Sequence, residues 1–579
     1  MHRKFLVGVV SLLLAGACAP VTTVPAPVTD DIDRLVDSLP LREKVAQLIM
    51  PWVPGSYAAL DDPELVRARM WVDSLRVGGI IVSIGSPLDV AGRINALQSA
   101  ARIPLLIASD LESGTTIRLN GGTSFPPNMG VGAGGRELDA YTIGRITALE
   151  GRAVGIHFAF APAADVNNNP ANPIINTRSF GEDPAAVGRL VAAAVRGIQE
   201  HGMLATAKHF PGHGDTETDS HLALPLITAG WERFDSLELV PFRAAIEAEV
   251  HAVMSAHIAV PGIDPGETRP ATVAPNILTG LLRDSLGFRG LVVTDALNMG
   301  GVVSKYGGGE AAVLAFLAGA DLLLMPADAA VAIDAMEAAV ASGRIPRERL
   351  DRSLRRMLEW KKRLGLFARR LVPLDSVMGT VGRAEFHHAA REIAERSIVL
   401  AADDGTADSL RAAPRQIALV TYADNAREAV ATSFAGELRM RGHTVATIRL
   451  HRESGPEAYD SARAALARAP YAVFAVSVRP VDRKGSIALP EAMNRLIDST
   501  ALARPTILVS LGSPYVITET PNVGSYLLGW ATNPASERAA GRALAGAPIS
   551  GTLPISIPPR FALGAGLARP AAATWRSDR

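Results

Sequence analysis

Residues 79–110 read GIIVSIGSPLDVAGRINALQSAARIPLLIASD. Two short apolar runs flank a stretch with helical patterning, which is typical of two parallel strands joined by a crossover helix. Apolar runs of this kind recur eight times between about residues 30 and 370, at Gln47–Val53, Gly79–Ile84, Leu105–Asp110, His157–Pro162, Ala205–His209, Ala252–His257, Leu291–Asp295 and Asp321–Met325. Eight strand and helix units can close a (β/α)₈ barrel. The sequence therefore predicts an α/β protein with a TIM barrel over residues 31–371, and a doubly wound open sheet is the alternative.

Polar side chains lie at the carboxyl ends of four of these runs: Asp110, Lys208 with His209, His257, and Asp295. One such residue is often only a helix cap or a turn former. Several strands that end in this way indicate a functional surface, because the active sites of TIM barrels lie at the carboxyl ends of their strands.

The second half of the chain has a separate α/β pattern. Its apolar runs are Ile417–Val420, Thr444–Ile448, Tyr471–Val478, Thr506–Leu511 and Tyr526–Trp530. Five strands with helical stretches between them predict a smaller three-layer α/β sandwich over residues 396–579, after a linker at residues 372–395. The turns carry neither a GxGxxG nor a GxxxxGKS/T pattern, so a nucleotide site is not supported.

Composition excludes several classes of function. The 579 residues include 58 Lys plus Arg and 58 Asp plus Glu, so no net charge draws the chain to nucleic acid. The single cysteine, Cys18, excludes an intramolecular disulfide, a cysteine-based zinc site and an iron–sulfur cluster held by this chain. With 48% hydrophobic residues, the chain can bury a large core.

The first twenty residues, MHRKFLVGVVSLLLAGACAP, predict export. A basic start, an apolar run from Phe5 to Leu14 and a small-residue end are typical of a secretory signal peptide, here residues 1–18. The end of this segment is similar to a bacterial lipobox, in which a peptidase cuts before a cysteine whose sulfur carries lipid; ordinary cleavage after Ala17 is the alternative. The lipobox interpretation makes Cys18 the lipid attachment site and residues 19–30 a flexible tether. The expected location is the periplasm, anchored to the bacterial outer membrane.

Residues 208–221, KHFPGHGDTETDSH, include the end of one predicted strand and hold three histidines, two aspartates and a glutamate. A zinc site is one interpretation, with His209, His213, Asp215, Asp219 and His221 as ligands, but the glycines and the spacing fit no helical HExxH arrangement. A solvated polar loop is another interpretation. The position of the loop at the predicted active face favours a catalytic role.

This loop and three other motifs carry a resemblance to a known family. The other motifs are Asp110-Leu-Glu-Ser with Arg118, Arg178-Ser-Phe-Gly-Glu-Asp-Pro, and Leu291-Val-Val-Thr-Asp-Ala-Leu-Asn-Met. Together they resemble the β-N-acetylhexosaminidase branch of glycoside hydrolase family 3, in which KHFPGHG followed by DSH is the defining signature. The resemblance covers the predicted barrel throughout and the second half more loosely, through GTLPISIP at residues 551–558.

The resemblance implies the catalytic residues. Asp295 matches the carboxylate that attacks the anomeric carbon and forms a covalent glycosyl–enzyme, which gives net retention. His221 matches the acid/base of this branch with Asp219 as its partner, whereas most glycosidases use a second carboxylate. An adjacent carboxylate fixes the tautomer of a histidine and stabilises its imidazolium form. Because the pair lies on a glycine-rich loop, we expect it to swing in over bound sugar.

The resemblance also implies the substrate. The residues expected to contact the terminal sugar are Asp110, Arg118, Arg178, Lys208, His209 and Met299, whereas His257 is expected to cap its strand end. The implied activity is release of non-reducing terminal β-linked N-acetylglucosamine from peptidoglycan fragments (muropeptides) or chito-oligosaccharides, without a metal or an organic cofactor. The alternatives are an N-acetylglucosaminide phosphorylase of the same family and a non-catalytic carbohydrate-binding lipoprotein. A broad β-glucosidase is disfavoured, because the glucosidase branch lacks the KHFPGHG and DSH loop.

Overall fold

The computed structural model describes residues 31–59, 61–266, 268–480, 487–573 and 575. The predicted signal peptide (1–18) with Cys18 and the predicted tether (19–30) lie outside these residues. Within the described ranges, no helix is both long enough and apolar enough to cross a membrane.

The strands of the first half overlap the predicted apolar runs, with the first run divided in two. They are β1 (Ile49–Met50), β2 (Trp52–Pro54), β3 (Gly79–Ser83), β4 (Leu106–Ser109), β5 (Phe158–Ala159), β6 (Thr206–Phe210), β7 (Ala252–Ser255), β8 (Leu291–Val293) and β9 (Leu323–Leu324). Their pairings are parallel. The predicted α/β fold with parallel strands is therefore confirmed.

These strands pair in three groups, and isolated bridges continue the pairing between groups. The orders are β2-β3-β4-β5, β6-β7-β8 and β1-β9. The bridge Phe158–Leu204 joins β5 to the segment before β6, and the bridge Val293–Leu322 joins β8 to the segment before β9. Only Pro51 separates β1 from β2. Because neighbouring strands run in the same direction, their carboxyl ends lie on one side of the molecule.

Helices connect the strands. They are α1 (Ile32–Ser38), α2 (Leu41–Ala46), α3 (Pro63–Asp73), α4 (Pro87–Ala100), α5 (Asn128–Gly134), α6 (Glu137–Ala153), α7 (Pro184–Gln199), α8 (Trp231–Arg233), α9 (Val240–Glu247), α10 (Gly300–Tyr306), α11 (Gly308–Ala318), α12 (Ala329–Ala341), α13 (Arg347–Arg363), α14 (Leu374–Thr380) and α15 (Ala384–Ser397), with π-helices at Phe234–Glu238 and Asn276–Ser285. In α7, the Asp183 side chain accepts from the N–H of Ala186 (2.7 Å) and caps the helix. Val187, Val191 and Val195 recur at helical spacing and are buried, which gives the helix its packing face.

The second half forms one six-stranded sheet with helices on both faces. Its strands are β10 (Val399–Ala402), β11 (Gln416–Ala423), β12 (Thr444–His451), β13 (Tyr471–Ser477), β14 (Thr506–Ser510) and β15 (Ser525–Leu528), in the order β10-β15-β14-β13-β11-β12. Its helices are α16 (Thr406–Ala412), α17 (Thr432–Met440), α18 (Pro456–Arg468), α19 (Glu491–Ala503) and α20 (Pro534–Leu544). Helices α18 and α19 share one hydrophobic core with the sheet, and α16, α17 and α20 share the other. The apolar runs do not predict the antiparallel edge strand β10, which begins two residues after α15 ends, so that no turn residues separate its apolar run from the helix.

Residues 372–395, predicted as a linker, hold α14 and most of α15. Phe386, Ala390 and Ile393 of α15 are buried in the core of the first half. Ala394, on the same helix, is buried in one core of the second half. The segment therefore joins the two halves as packed helices.

The loops at the carboxyl ends of β14 and β15 face the carboxyl ends of the first-half strands. Asn533, which follows β15, donates to the carbonyl of Phe125 (2.8 Å). Asn176 donates to the hydroxyl of Ser513, which follows β14 (3.2 Å). The strand ends of both halves therefore border a common space.

Candidate active site

A cavity of about 880 Å³ lies between these two sets of strand ends. Eight of the nine predicted catalytic and sugar-contacting residues line it: Asp110, Arg118, Arg178, Lys208, His209, His221, Asp295 and Met299. The ninth, Asp219, lies against His221 at hydrogen-bonding distance. The fold therefore brings together side chains from the ends of β4, β6 and β8 and from the loops between them.

Asp295 lies two residues beyond β8. Its Oδ1 accepts from the N–H of Ala296 (2.8 Å). Burial alone would raise the pKa of this carboxyl, but interactions with His257, His209 and the Ala296 N–H lower it to about 2. Asp295 is therefore ionised at neutral pH, as a carboxylate nucleophile requires.

His257 holds the segment that carries Asp295. Its ring is fully buried, with Nε2 2.9 Å from the carbonyl oxygen of Ala296 and Nδ1 2.8 Å from the hydroxyl of Thr272. A carbonyl oxygen can only accept, so Nε2 carries a hydrogen. Burial lowers the pKa of His257, which favours the neutral ring. His257 thus anchors the peptide next to Asp295, beyond the predicted role of a strand-end cap.

Two carboxylates and two cations form a buried network beside Asp295. The Nζ of Lys208 lies 3.0 Å from Asp110 Oδ1 and 2.8 Å from Glu112 Oε1. Arg178 makes two parallel contacts with Glu112, at 2.9 and 2.7 Å. Burial would raise the pKa of Glu112, but Arg178 and Lys208 hold it well below its usual range. Each of these charges depends on its partners, because an unpaired buried charge is costly.

Asp110, at the edge of this network, and Arg118 beside it are more exposed than Lys208 and Glu112. Their side chains are 33% and 37% exposed, against 2% for Lys208 and 8% for Glu112. Arg118 Nη2 lies 3.6 Å from Asp110 Oδ2. Polar groups of a ligand in the cavity can therefore reach Asp110 and Arg118, while Lys208 and Glu112 lie behind Asp110.

His209 is oriented by the buried carboxylate of Asp165. The Nδ1 of His209 lies 2.8 Å from Asp165 Oδ2, and Nε2 lies 3.3 Å from Arg178 Nη2. Asp165 also accepts the backbone N–H of His213 (2.7 Å). This carboxylate thus fixes both the ring of His209 and the start of the loop that carries His221.

Glu112 and Asp165 are site residues that the sequence analysis did not assign. Glu112 lies two positions after Asp110, inside a motif that was already singled out, so its charge was an available signal. Asp165 follows the end of β5 by six residues, and neither its spacing nor its neighbours mark it. Its role depends on contacts with a loop more than forty residues away, which only the folded chain reveals.

Asp219 and His221 form a hydrogen-bonded pair. The Nδ1 of His221 lies 2.8 Å from Asp219 Oδ1, and the same oxygen accepts the backbone N–H of His221 (2.9 Å). The side chain of Asp219 is 1% exposed and that of His221 is 22% exposed. A buried carboxylate thus fixes the orientation of an imidazole that borders the cavity.

The Asp219–His221 segment is attached to the segment that follows Asp295. The N–H of Gly300 donates to the carbonyl of His221 (3.3 Å), and the N–H of Gly301 donates to that of Ser220 (3.1 Å). A Cβ on Gly300 would lie 2.9 Å from the oxygen of His221, so this close approach requires glycine. On its other side, Ser220 Oγ lies 3.1 Å from His213 Nε2. The expected movement of this loop over bound sugar stays a prediction.

The opposite wall of the cavity comes from the second half of the chain. Its lining residues are Arg479, Pro480, Leu511, Trp530, Ala531, Thr532 and Asn533. They follow strands β13, β14 and β15. Both halves of the chain therefore border the cavity.

The zinc interpretation of the histidine-rich loop does not match the geometry. In the part of the chain that the structure describes, no three His, Cys, Asp or Glu side chains are arranged to hold a metal ion. His209 instead contacts Asp165, and Asp215 pairs with Arg233 at 2.7 Å. The partners of these two side chains are therefore protein side chains.

Residues 40–360 match the model described as "Glycosyl hydrolase family 3 N terminal domain". The chain belongs to glycosyl hydrolase family 3. This confirms the family resemblance that the sequence motifs carry, and it identifies the chain as an O-glycosyl hydrolase.

Relatives in the family have related names. The chain is 32% identical to a beta-N-acetylglucosaminidase/beta-glucosidase from Cellulomonas fimi, over 83% of this chain and 88% of the relative. It is 36% identical to beta-hexosaminidase A from Pseudoalteromonas piscicida, over 57% of this chain and 60% of the relative.

Two solved structures are similar over nearly the whole chain. A family 3 beta-N-acetylglucosaminidase from Paenibacillus sp. str. FPU-7 has a TM-score of 0.82 and 36% identity, covering 90% of this chain and 99% of that one. A beta-glucoside phosphorylase has a TM-score of 0.82 and 26% identity, covering 91% and 96%. The parallel α/β fold is thus similar to that of family 3 enzymes.

Proposed function

We propose that this family 3 enzyme is an exo-acting, retaining β-N-acetylhexosaminidase that releases non-reducing terminal β-linked N-acetylglucosamine. The observation that carries the proposal is a single cavity bordered by the ionised Asp295 and by His221, which the buried Asp219 orients. The names of the C. fimi relative and of the Paenibacillus structure support the N-acetylglucosamine specificity.

In the first step, a carboxylate oxygen of Asp295 attacks the anomeric carbon of the terminal sugar. The bond between that carbon and the leaving oxygen breaks, and Nε2 of His221 gives its proton to the leaving oxygen. A covalent glycosyl ester on Asp295 remains. Asp219 stabilises the imidazolium form of His221 before the transfer and fixes its tautomer afterwards.

In the second step, water replaces Asp295. His221 accepts a proton from the water, whose oxygen attacks the anomeric carbon, and Asp295 leaves as a carboxylate. The low pKa of Asp295 favours this departure. Each step inverts the anomeric centre, so the product retains the configuration of the substrate.

The proposed sugar-binding residues are Asp110, Arg118, Arg178, Lys208, His209 and Met299. Charge-assisted hydrogen bonds discriminate between hydroxyl patterns, because a wrong sugar leaves charged groups unpaired. We assign Glu112 and Asp165 to positioning, since Glu112 holds Lys208 and Arg178 and Asp165 holds His209.

We also infer that the first half is one closed (β/α)₈ barrel. The bridges Phe158–Leu204 and Val293–Leu322 support closure, because they connect the three strand groups into one circuit through β1 and β2. The proposed domains are the barrel over residues 31–371, a helical linker at residues 372–395 and a three-layer sandwich over residues 396–579.

The direct test compares 4-nitrophenyl β-N-acetylglucosaminide with 4-nitrophenyl β-glucoside, using the mature chain and Asp295→Ala as the control. We expect a strong preference for the acetamido sugar and loss of both activities in the variant. Comparable rates on the two sugars would contradict the N-acetyl specificity. Absence of hydrolysis on both would favour a carbohydrate-binding protein.

Phosphorolysis is the second candidate, and the similarity to a beta-glucoside phosphorylase favours it. In that reaction phosphate, instead of water, attacks the anomeric carbon of the ester on Asp295. A neutral histidine at the acid/base position repels the incoming anion less than a carboxylate would. Product analysis in phosphate buffer distinguishes the two, because phosphorolysis yields a sugar 1-phosphate and hydrolysis yields free N-acetylglucosamine.

We further propose that residues 1–18 direct export, that Cys18 carries lipid, and that the substrates are cell-wall fragments or chito-oligosaccharides. The sequence pattern of the first twenty residues supports the anchor. Mass spectrometry of the mature amino terminus tests it: we expect a lipidated Cys18, and Cys18→Ser should move the protein from the membrane to the soluble fraction.

A further inference from the structure

Arg479 of the second half lies beside the cavity. It is located where the strand order of the second-half sheet reverses. From β11, the chain continues to β12 on one side of the sheet, whereas β13, β14 and β15 follow one another on the other side. In open α/β sheets, ligands bind outside the carboxyl ends of the strands at such a switch point. Arg479 follows β13 by two residues and Glu428 follows β11, so both lie at this crevice.

Arg479 lines the same cavity as Asp295 and His221. Its side chain is 59% exposed, and its ion pair with Glu428 is long, at 3.6 Å. Glu428 itself is only 20% exposed, and its Oε1 accepts from Thr532 at 3.2 Å. Glu428 therefore orients the Arg479 guanidinium from behind without enclosing it.

Two cations of the first-half wall, Lys208 and Arg178, differ from Arg479, whereas Arg118 is partly exposed and has a similarly long ion pair. Lys208 is 2% exposed and has two carboxylates within 3.0 Å, and Arg178 makes two parallel contacts with Glu112. These cations are neutralised by the protein itself. Arg479 lies instead on the wall that the second half supplies, and its side chain is 59% exposed, so its charge can be reached by a ligand.

The position of Arg479 in the cavity places it near the leaving group of the substrate. If the enzyme is exo-acting, as the proposed function states, the terminal sugar lies at the closed end among the buried charges. The leaving group then extends toward the open end and the wall that the second half supplies. A charged side chain on that wall contacts the leaving group rather than the reacting sugar.

We propose that Arg479 forms a leaving-group subsite that binds a carboxylate carried by the sugar next to the terminal N-acetylglucosamine. This inference rests on the proposed function and specifies its substrate. A guanidinium matches the planar geometry of a carboxylate and binds it through two parallel hydrogen bonds. The preferred substrate is therefore an acidic disaccharide, with its carboxylate on the second sugar or on a peptide attached to that sugar.

The test uses four disaccharides that share a terminal β-1,4-linked N-acetylglucosamine. The second sugar is N-acetylglucosamine, N-acetylmuramic acid with its free lactyl carboxylate, the same acid as its neutral amide, or the same acid coupled to a dipeptide with a free carboxylate. Each is assayed with the wild type, Arg479→Gln and Arg463→Gln. Arg463 is a matched control, because it is 58% exposed, pairs with Asp460 at 2.8 Å and is not among the described residues that line the cavity.

The measured quantity is the ratio of kcat/KM for an acidic disaccharide to that for the neutral amide. We expect a ratio of about ten in the wild type, which corresponds to about 1.4 kcal/mol, and a lower value at high ionic strength. In Arg479→Gln the ratio should fall to about one, and in Arg463→Gln it should remain near the wild-type value. The lactyl and the dipeptide carboxylates are compared separately, so the favoured acid identifies the source of the charge.

A wild-type ratio near one for both acids, or an unchanged ratio in Arg479→Gln, would overturn the subsite. Hydrolysis of the neutral disaccharide of N-acetylglucosamine by the wild type would then show that the proposed function stands without it. Failure of the wild type on all four disaccharides and on the 4-nitrophenyl glycoside would overturn the proposed function, and the subsite with it.

Discussion

The two segments that carry the proposed catalytic residues are held in different ways. Asp295 follows a strand, and a fully buried histidine, His257, holds the peptide beside it. Asp219 and His221 lie on a loop, and backbone hydrogen bonds from Gly300 and Gly301 hold that loop against the nucleophile segment. The position of Asp295, the proposed nucleophile, is thus set by a packed strand and buried side chains, which are costly to displace. The position of His221, the proposed acid/base, depends on the close approach of two backbone segments.

The largest loss of activity is expected from a substitution of Asp295. Asp295→Ala removes the nucleophile, so turnover should fall by at least about 10⁴-fold, the scale of losses when a covalent nucleophile is deleted. Folding and sugar binding should remain, since the buried cations described beside Asp295, Lys208 and Arg178, pair with Asp110 and Glu112. Steady-state hydrolysis and calorimetric sugar binding check this, and near-normal activity would remove Asp295 as the nucleophile.

Substitution in the loop should give a loss that depends on the substrate. His221→Ala removes the proton donor, so hydrolysis of a disaccharide of N-acetylglucosamine should slow by roughly 10²–10⁴-fold. The 4-nitrophenyl glycoside should lose much less in its first step, because nitrophenolate leaves without protonation. Pre-steady-state rates on both substrates give the comparison, and equal losses on the two would argue against the acid role.

The buried charges behind the sugar site should matter for stability as well as for activity. Glu112→Gln leaves Lys208 and Arg178 with one fewer carboxylate, which should lower the free energy of unfolding by about 3 kcal/mol and raise KM. Denaturant unfolding measures this beside Glu491→Gln, which removes a carboxylate from an exposed pair. A loss no greater than that of Glu491→Gln would show that the network is not a stabilising unit.

The contribution of His213, which contacts the Asp219–His221 loop, to the free energy of unfolding should depend on pH. Burial lowers the pKa of His213 to about 4, whereas an unfolded histidine titrates near 6.5, so the unfolded chain takes up this proton first as the pH falls. This group should therefore reduce the free energy of unfolding by about 2 kcal/mol between pH 7 and pH 5. Chemical denaturation of the wild type and of His213→Gln at both pH values measures the difference. An identical pH dependence in the two proteins would contradict the assignment.

The smallest loss of activity is expected from a substitution of Gly300, where the segment after Asp295 contacts the Asp219–His221 loop. The added Cβ of Gly300→Ala would lie 2.9 Å from the His221 oxygen and push the loop outward, so disaccharide hydrolysis should fall by about ten-fold, or about 1.4 kcal/mol. Gly436→Ala, in α17, is the matched control, since among the described residues no atom apart from the nearby backbone of its own helix lies within 4 Å of its new Cβ. Unchanged rates in Gly300→Ala would show that the loop does not depend on this contact.

The sequence predicted the features that local patterns encode. The apolar runs located the first-half strands, and strand-end positions together with family motifs pointed to Asp295 and Lys208. Glu112 lies in a quoted motif, so its charge was an available signal, but its pairing with Arg178 is visible only in the folded chain. Asp165 escaped prediction because its role depends on contacts with a segment more than forty residues away. The same limit applies to Arg479, since no local pattern states how the second half is oriented over the first.

The most direct test of the central claim is to trap the glycosyl–enzyme. His221→Ala incubated with 4-nitrophenyl β-N-acetylglucosaminide should accumulate the intermediate, because the first step needs little protonation and the second lacks its base. Intact-protein mass spectrometry should then show the addition of one N-acetylglucosaminyl group, and peptide mapping should place it on Asp295. An adduct on a different residue, or a wild-type product with inverted anomeric configuration, would contradict the proposed mechanism.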